Sequence, residues 1–276
     1  MNFQESVERN GWKTEQIDIS YSAQRRQLIT EPILFEDGEN VTLQFQIGEV
    51  QSQMLVSDPN LLVLSYTRTM MAFVLFNKRP KHIAMIGLGG GSIPKWCYHE
   101  LPATEITVVE INDMVISLRE LFRIPEDNER FRIVCGDGAD YVAETADSPD
   151  VLIVDGFDIY GQPPQLSSQE FYDDCYRALD PEGLLVVNLC SPDDQQMVDR
   201  IRRSFDDRVL ISVQRDGGEN KIVFAFKGER VWMEDNPAFE FLREVTVTSV
   251  PGFEPSSSRS HLRRERDSGV LSMTVR

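Results

Sequence analysis

This sequence has neither an excess of basic residues nor a long apolar run. Lys and Arg number 28 against 45 Asp and Glu, which leaves a formal net charge of −17. Because nucleic-acid backbones are bound by basic surfaces, this balance argues against DNA or RNA as partner, while an acidic cleft would concentrate cationic small molecules. No stretch approaches the roughly 18 apolar residues of a membrane helix. The acidic start MNFQESVERN also lacks a signal-peptide core. We therefore predict no membrane partner.

Cysteine is sparse as well. The four cysteines, Cys97, Cys135, Cys175 and Cys190, lie far apart and form no CxxC pair. Three of them fall in apolar or helical runs, which favours free buried thiols over disulfides or zinc ligands. We therefore predict no metal site and a cytoplasmic protein.

An alternation of apolar and polar residues begins at Ile29 and is broken at Asp37-Gly38 and Gly48-Glu49. Both breaks have turn chemistry, so the pattern predicts a small antiparallel β-unit of two or three strands. After Asp58-Pro59, apolar residues recur at spacings of three and four. This periodicity predicts a helix over residues 60–77 that packs on the region after it.

Strand and helix patterns alternate after Lys81. Short apolar strands are predicted at 82–86, 105–110, 130–135, 150–155 and 183–189, with helices near 92–101, 111–122, 138–145, 168–179 and 193–205. Such alternation predicts a parallel sheet covered on both faces. The last two strands, 208–214 and 221–227, are joined only by RDGGEN, which is too short for a helical crossover. They should therefore pair antiparallel.

These patterns predict a doubly wound, mostly parallel seven-stranded α/β sheet that ends in an antiparallel β-hairpin. That layout is the Rossmann-like methyltransferase fold, whereas a dinucleotide-binding Rossmann domain normally finishes parallel. The predicted parts are a polar lead-in (1–28), a small N-terminal β-domain (29–57), a catalytic domain (58–228) and a C-terminal extension (229–276). The end of the extension, 251–276, is rich in serine and arginine and is predicted to be disordered.

The strongest local signal is IAMIGLGGGSIPKW, in which a strand is followed by Gly87, Gly89 and Gly91 and then by a helix near Ser92. Glycines let the backbone turn sharply and approach a ligand, and a helix N-terminus adds free N–H groups. Glu110 ends the next strand, where a carboxylate can accept hydrogen bonds from ribose hydroxyls. Taken by itself, the glycine loop has an alternative interpretation, in which its glycines only allow tight packing.

Asp137 and Gly138 follow the third strand of this region, and a carboxylate there can accept a hydrogen bond from an adenine amino group. Three strand-end features in order predict a ligand that contains adenosyl. A hydride-transfer cofactor is disfavoured, because Ser92 occupies the third position of the dinucleotide fingerprint and the closing hairpin disagrees with that fold.

The run from Gln51 to about Lys227 resembles the spermidine synthase (polyamine aminopropyltransferase) family, a branch of the methyltransferase fold with a small N-terminal β-domain. The resemblance is carried by Gln51, Tyr66, the loop from Gly87 to Gly91, Glu110, Asp137, the segment Val154-Asp155-Gly156-Phe157-Asp158, Gly161-Gln162-Pro163 and Phe171-Tyr172. It implies a homodimer that moves an aminopropyl group from decarboxylated S-adenosylmethionine (AdoMet) to a small-molecule amine in polyamine biosynthesis.

The resemblance also implies roles for individual residues. Asp155 and Asp158 would be the catalytic pair, with Asp155 as the base and Asp158 helping to bind the amine, and Tyr66 would line the amine pocket. The residues implied for donor binding are Gln51, Gly87, Gly89, Gly91, Glu110, Asp137 and Gly138. A carboxylate suits the chemistry, because an alkylamine has a pKa of about 10 and must lose a proton to react. The alternative is that Asp155 caps its strand and Asp158 belongs to a turn.

Three departures from the family pattern leave the acceptor and the donor open. The glycine loop carries no acid where family members have an Asp, Thr67-Arg68 replaces a polar and acidic pair, and Gln214 to Gly218 contain no pocket tyrosine. Arg68 would place positive charge where a diamine should bind. The alternatives are a methyltransferase that uses intact AdoMet on an unknown small molecule, and a non-catalytic nucleoside-binding relative.

Overall fold

Two β-sheets organise the chain in this computed structural model, which describes residues 30–190, 194–213, 220–229, 261–265 and 270–274. Within those ranges, one sheet has three strands and the other has nine. The predicted lead-in, residues 1–28, lies outside the described residues.

The three-stranded sheet is antiparallel and consists of β1 (Ile33–Glu36), β2 (Asn40–Gln46) and β3 (Glu49–Leu55). At its first turn, Asp37 Oδ1 accepts hydrogen bonds from the backbone N–H groups of Glu39 at 2.9 Å and Asn40 at 2.7 Å. The second turn contains Gly48 at φ +97°. The predicted antiparallel β-unit is thus present, with turns at both places where the alternation breaks.

Helix α1 (Ser65–Met70) is shorter than predicted and continues as a 3₁₀ turn over Met71–Leu75. The predicted start after Asp58-Pro59 is wrong, because the chain before Ser65 is not helical. The Arg68 guanidinium donates to the carbonyl oxygens of Leu62 at 2.6 Å and Val63 at 2.7 Å. These contacts stabilise a non-helical conformation of the chain before Ser65, which the spacing of the apolar residues does not reveal.

Seven strands of the large sheet have the order β6-β5-β4-β7-β8-β10-β9. All are parallel except β10, which pairs antiparallel with both β8 and β9. The strands are β4 (His82–Ile86), β5 (Glu105–Glu110), β6 (Phe131–Cys135), β7 (Val151–Val154), β8 (Leu184–Leu189), β9 (Val209–Val213) and β10 (Lys221–Phe226). This arrangement confirms the predicted fold class.

Within the described ranges, five α-helices follow or connect these strands. They are α2 (Ser92–Glu100), α3 (Asp113–Ser117), α4 (Gly138–Glu144), α5 (Gln169–Ala178) and α6 (Asp194–Ser204). Helix α3 ends earlier than the predicted 111–122, and the chain then reaches Arg123 with a left-handed φ of +53°. None of the helices in the described ranges has the length and apolar run that crossing a bilayer requires.

Two further strands extend the large sheet beyond β9. Strand β12 (Val270–Thr274) pairs parallel with β9, and β11 (His261–Glu265) pairs antiparallel with β12. The sequence predicts disorder here because the composition is polar. Main-chain pairing at a sheet edge depends little on side-chain composition, so such a segment can still add strands. The other residues of 251–276 lie outside the described ranges.

Apolar side chains cover both faces of the large sheet, as its doubly wound layout requires. Ile83 and Met85 face a cluster that includes Phe73, whereas Ala84 and Ile86 face a second cluster that includes Tyr172. Successive residues of a strand point to opposite faces, so one continuous apolar strand contributes to both clusters. The polar residues that flank such a strand lie at its ends, where the candidate site is found.

Candidate active site

A cavity of about 680 Å³ opens at the carboxyl ends of β4, β5, β7 and β8, beside the three-stranded sheet. Ligands of open α/β sheets bind at this edge. Most of the predicted site residues line it, namely Gln51, Tyr66, Gly87, Gly89, Glu110, Gly138, Asp155 and Asp158. The structure does not bring Gly91 and Asp137 to the lining. The sequence pattern thus identified one shared cavity, and the role of each residue there stays a prediction.

At Gly87, the chain after β4 packs closely against the chain after β7. Its φ is +91°, and a Cβ at this position would lie 2.3 Å from the backbone carbonyl oxygen of Asp155. Only glycine meets both conditions. Gly91 instead packs the start of α2, because a Cβ there would lie 2.5 Å from Cγ1 of Ile124. The packing alternative therefore fits Gly91, while Gly87 sets the distance between the loop and Asp155.

Glu110 connects the glycine loop to the chain that follows β5. Its Oε2 accepts a hydrogen bond from the Leu88 N–H at 2.8 Å, and its Oε1 accepts one from the Asn112 N–H at 2.8 Å. Burial raises the pKa of Glu110, and the backbone N–H groups around it act in the opposite direction. Each oxygen keeps lone pairs that can accept further hydrogen bonds, as a vicinal diol would require.

Asp137 is the N-cap of α4, with its Oδ1 accepting a hydrogen bond from the Ala139 N–H at 2.8 Å. A capping carboxylate stabilises a helix start by satisfying an otherwise unpaired donor. Gly138 follows it, and a Cβ there would lie 2.3 Å from Cγ2 of Ile86. Asp137 therefore fixes the position of the cavity-lining Gly138, and its own carboxylate is engaged in the cap.

Asp155 lies directly after β7 and receives a hydrogen bond on each carboxylate oxygen. The Tyr66 hydroxyl donates to Oδ2 at 3.2 Å, and the Asn188 side-chain amide donates to Oδ1 at 2.8 Å. Burial raises the pKa of Asp155 to about 6, while the hydrogen bonds from Asn188 and Tyr66 act to lower it. The pKa of Tyr66 lies well above its usual value because of burial and the nearby Asp155. The tyrosine thus stays a proton donor.

Asp158 occupies a tight turn at the mouth of the cavity. Its backbone forms a bridge with Gly161, and its Oδ1 accepts a hydrogen bond from the Tyr160 N–H at 2.7 Å. This is the turn role given above as the alternative. The residue also lines the cavity, so the turn holds a carboxylate beside it.

The structure places the charge of Arg68 away from the predicted amine pocket. Its guanidinium is bound to the carbonyl groups of Leu62 and Val63, and Arg68 is not among the residues that line the cavity. Contrary to the expectation, the Arg68 side chain therefore does not line the cavity.

The glycine loop has no room for a side chain at Gly90. A Cβ there would lie 2.7 Å from Oγ of Ser52 and 2.8 Å from Cδ1 of Phe122. Ser52 itself is buried and lines the cavity. An acid at this position would therefore displace these two neighbours, which gives a steric reason for glycine at Gly90.

Sequence reasoning missed Asn188 and Asn220, which also line the cavity. Asn188 is the next-to-last residue of the buried β8, where a polar residue in an otherwise apolar strand is a signal that could have identified it. Asn220 lies in the polar connection RDGGEN and has no such signal.

The order of the seven strands, the glycine loop after β4 and the acid at the end of β5 define the methyltransferase-type class of doubly wound α/β proteins. Within this class the chain belongs to the spermine/spermidine synthase family, because the model of the spermine/spermidine synthase domain matches residues 63–207. The family resemblance stated from the sequence is confirmed.

Relatives and solved structures agree with this assignment. The polyamine aminopropyltransferase of Chromobacterium violaceum is 41% identical over 195 residues, which cover 70% of this chain and 74% of the relative. The spermidine synthase structure from Thermotoga maritima is 23% identical with a TM-score of 0.60, covering 80% of this chain and 76% of that one. A spermidine synthase in complex with the transition-state analogue AdoDATO is 22% identical with a TM-score of 0.55, covering 78% and 79%. At these identities the two structures support the fold.

Proposed function

We propose that this protein is a polyamine aminopropyltransferase that moves an aminopropyl group from decarboxylated AdoMet to a small amine, with Asp155 as the base. The observation that carries the proposal is the placement of Asp155 between two hydrogen-bond donors, in the cavity that Glu110 shares. The 41% identity to a relative named polyamine aminopropyltransferase supports the reaction class. A cytoplasmic homodimer is part of the same proposal.

The residues of the cavity fit an adenosyl donor. Glu110 is held by two backbone N–H groups with lone pairs to spare, which suits the ribose hydroxyls. Gly87 and Gly89 let the loop backbone come close to the ligand. The cavity volume of about 680 Å³ lies within the usual range for small-molecule sites. We assign Gln51 and Gly138 to the same donor, and Asp137 to holding Gly138 in place. A solved relative that binds AdoDATO supports this choice of donor.

Asp155 would take the proton that the amine must lose. The donor supplies a carbon next to a sulfonium: the amine nitrogen forms a bond to this carbon, and the carbon–sulfur bond breaks with its electron pair on sulfur. A base with a pKa of about 6 is mostly ionised at neutral pH and is stronger than an ordinary aspartate. Tyr66 and Asn188 hold both of its oxygens, so the carboxylate is oriented before the amine binds. Asp158 at the mouth adds negative charge that attracts a cationic amine.

A second candidate function is methyl transfer from intact AdoMet. It is favoured by the glycine loop, where Ser52 and Phe122 fill the space beside Gly90 and no acid faces the donor. A donor that keeps its carboxylate would therefore meet no additional negative charge from this loop.

The test is to incubate the purified protein with each donor and a panel of diamines and polyamines. Aminopropyl transfer releases methylthioadenosine and methyl transfer releases S-adenosylhomocysteine, and chromatography separates the two. We expect methylthioadenosine. Asp155→Asn should lower turnover by about 100-fold or more with little change in donor affinity, because the proton acceptor is lost. Asp199→Asn, at an exposed position of α6, is the matched control and should retain full turnover. Release of S-adenosylhomocysteine alone would replace the proposal with the second candidate.

A further inference from the structure

A chain of hydrogen bonds leads from the closing hairpin to Asp155. The Asn220 side-chain amide donates to Oδ1 of Asn188 at 3.0 Å, and the Asn188 amide donates to Oδ1 of Asp155 at 2.8 Å. Asn188 is 2% exposed, so its amide has little access to water as an alternative partner. Two side chains distant in sequence from Asp155 thus act on the same carboxylate oxygen.

The direction of this chain follows from the chemistry of the groups. An ionised carboxylate only accepts hydrogen bonds, so Asn188 must turn its NH₂ group toward Asp155. Its carbonyl oxygen then faces the other way and requires a donor. The Asn220 NH₂ group supplies that donor. Without it, the buried amide of Asn188 would leave an acceptor unpaired and could rotate, which would weaken its bond to Asp155.

The sheet register brings the two asparagines together. Strand β10 runs antiparallel to β8 with Ile222 opposite Asn188, so Asn220 lies two residues before that pair, beyond the end of β8. The next residue, Lys221, forms an ion pair with Asp194 at 2.8 Å, and both side chains are mostly shielded from water. This ion pair fixes the start of β10 against the start of α6. Asn220 is therefore held on a strand end that is anchored on two sides.

We propose that Asn220 is a positioning residue of this site: it fixes the amide of Asn188 and thereby keeps the Asp155 carboxylate oriented and deprotonated. The inference rests on the proposed function in one respect, which is that Asp155 serves there as the base. Asn220 leaves the proposed substrate class unchanged. It acts on the ability of Asp155 to accept a proton. The hydrogen bonds from Asn220 through Asn188 to Asp155 also connect the start of β10 to the chemistry at the end of β7.

Several other titratable groups line the cavity around Asp155 from the described part of the chain. They are Tyr66 on α1, Asp158 and Tyr160 in the loop after β7, Glu110 at the end of β5, Glu49 on β3 and Cys190 after β8. A pH profile of activity alone would mix their contributions. The test therefore follows the Asp155 carboxyl itself.

The experiment is a pH titration of protein labelled with ¹³C at the aspartate side-chain carboxyl, with the Asp155 signal assigned by its loss in Asp155→Asn. In Asn220→Ala we expect the Asp155 titration midpoint to rise by about 0.5–1 pH unit, the size of one weakened hydrogen bond to a charged group. The isosteric Asn220→Asp keeps the packing but replaces the donor with an acceptor, and its midpoint should rise at least as far. Asn128→Ala, at an exposed site outside the cavity, is the matched control and should not move it.

Turnover measurements on the same variants give the second readout. In Asn220→Ala, transfer should fall about 2- to 6-fold near pH 6 and return toward the wild-type value near pH 9, where Asp155 is deprotonated in both proteins. An unchanged midpoint in both Asn220 variants would overturn the inference, and so would a pH-independent loss of turnover with an unchanged midpoint. The carboxyl titration needs no substrate. A shifted midpoint in a protein that transfers no aminopropyl group would refute the proposed function and leave the role of Asn220 standing.

Discussion

Substituting Gly87 with alanine should damage both the stability and the chemistry of this protein. The residue has a φ of +91°, a region that costs an L-residue about 1–2 kcal/mol. The added Cβ would lie 2.3 Å from the Asp155 carbonyl oxygen and 2.8 Å from its carbonyl carbon, both of which are backbone atoms that cannot rotate away. Overpacking of this kind typically costs a further 1–3 kcal/mol or so. The expected loss for Gly87→Ala is therefore about 2–5 kcal/mol.

The chain contains a matched control for the steric part of this loss. Gly48 has a φ of +97°, but nothing lies within 4 Å of a Cβ built there. Gly48→Ala should therefore cost about 1–2 kcal/mol from backbone strain alone. Urea unfolding of both variants measures the two losses, and their difference isolates the contact between Gly87 and Asp155.

The chemical consequence follows from the same contact. Relief of the overlap requires the backbone at Asp155 to move away from β4, which would alter its hydrogen bonds to Tyr66 and Asn188. Turnover of folded Gly87→Ala should therefore fall by at least about 10-fold, whereas folded Gly48→Ala should stay near wild type. Equal unfolding free energies for the two variants, or full turnover in Gly87→Ala, would refute the reasoning.

Two further predictions concern protonation. Tyr66→Phe removes a hydrogen bond that lowers the pKa of Asp155, so the acidic limb of the activity profile, near pH 6 in the wild type, should move to higher pH. Burial lowers the pKa of Lys95 to about 8, so the unfolded chain binds more protons between pH 8 and about 10.5. Urea unfolding should show wild type gaining up to about 3 kcal/mol relative to Lys95→Met across that window, and a pH-independent difference would contradict this.

The sequence predicted the sheet well, because a strand covered on both faces is a short apolar run with clear ends. The predicted bounds of β4 and β5 coincide with those observed, and the short RDGGEN connection correctly indicated the antiparallel hairpin. Helices were less predictable. Helix α1 begins late because Arg68 binds carbonyl groups of the preceding chain, and such a contact leaves no periodic pattern.

The positions of Glu110 and Asp155 in the cavity were predictable, because each is an acid at the end of a buried strand. It was not predictable where two residues meet through sheet register. Asn188 and Asn220 are 32 positions apart, and their contact depends on how β10 aligns with β8. Asp137 shows a third case, since a carboxylate at a loop–helix boundary suits both a ligand and a helix cap, and only the structure shows the cap.

The reversed direction of β10, two strands from β7, brings a side chain at its start to the candidate site. The glycine loop and Glu110 follow or end β4 and β5, on one side of β7, whereas Asn188 on β8 and Asn220 just before β10 lie on the other side. Under the proposed roles, the groups that bind the nucleoside and the two asparagines that orient the base therefore come from opposite sides of β7. We expect substitutions of Asn188 or Asn220 to change proton acceptance by Asp155 while the donor-binding half of the cavity stays constant.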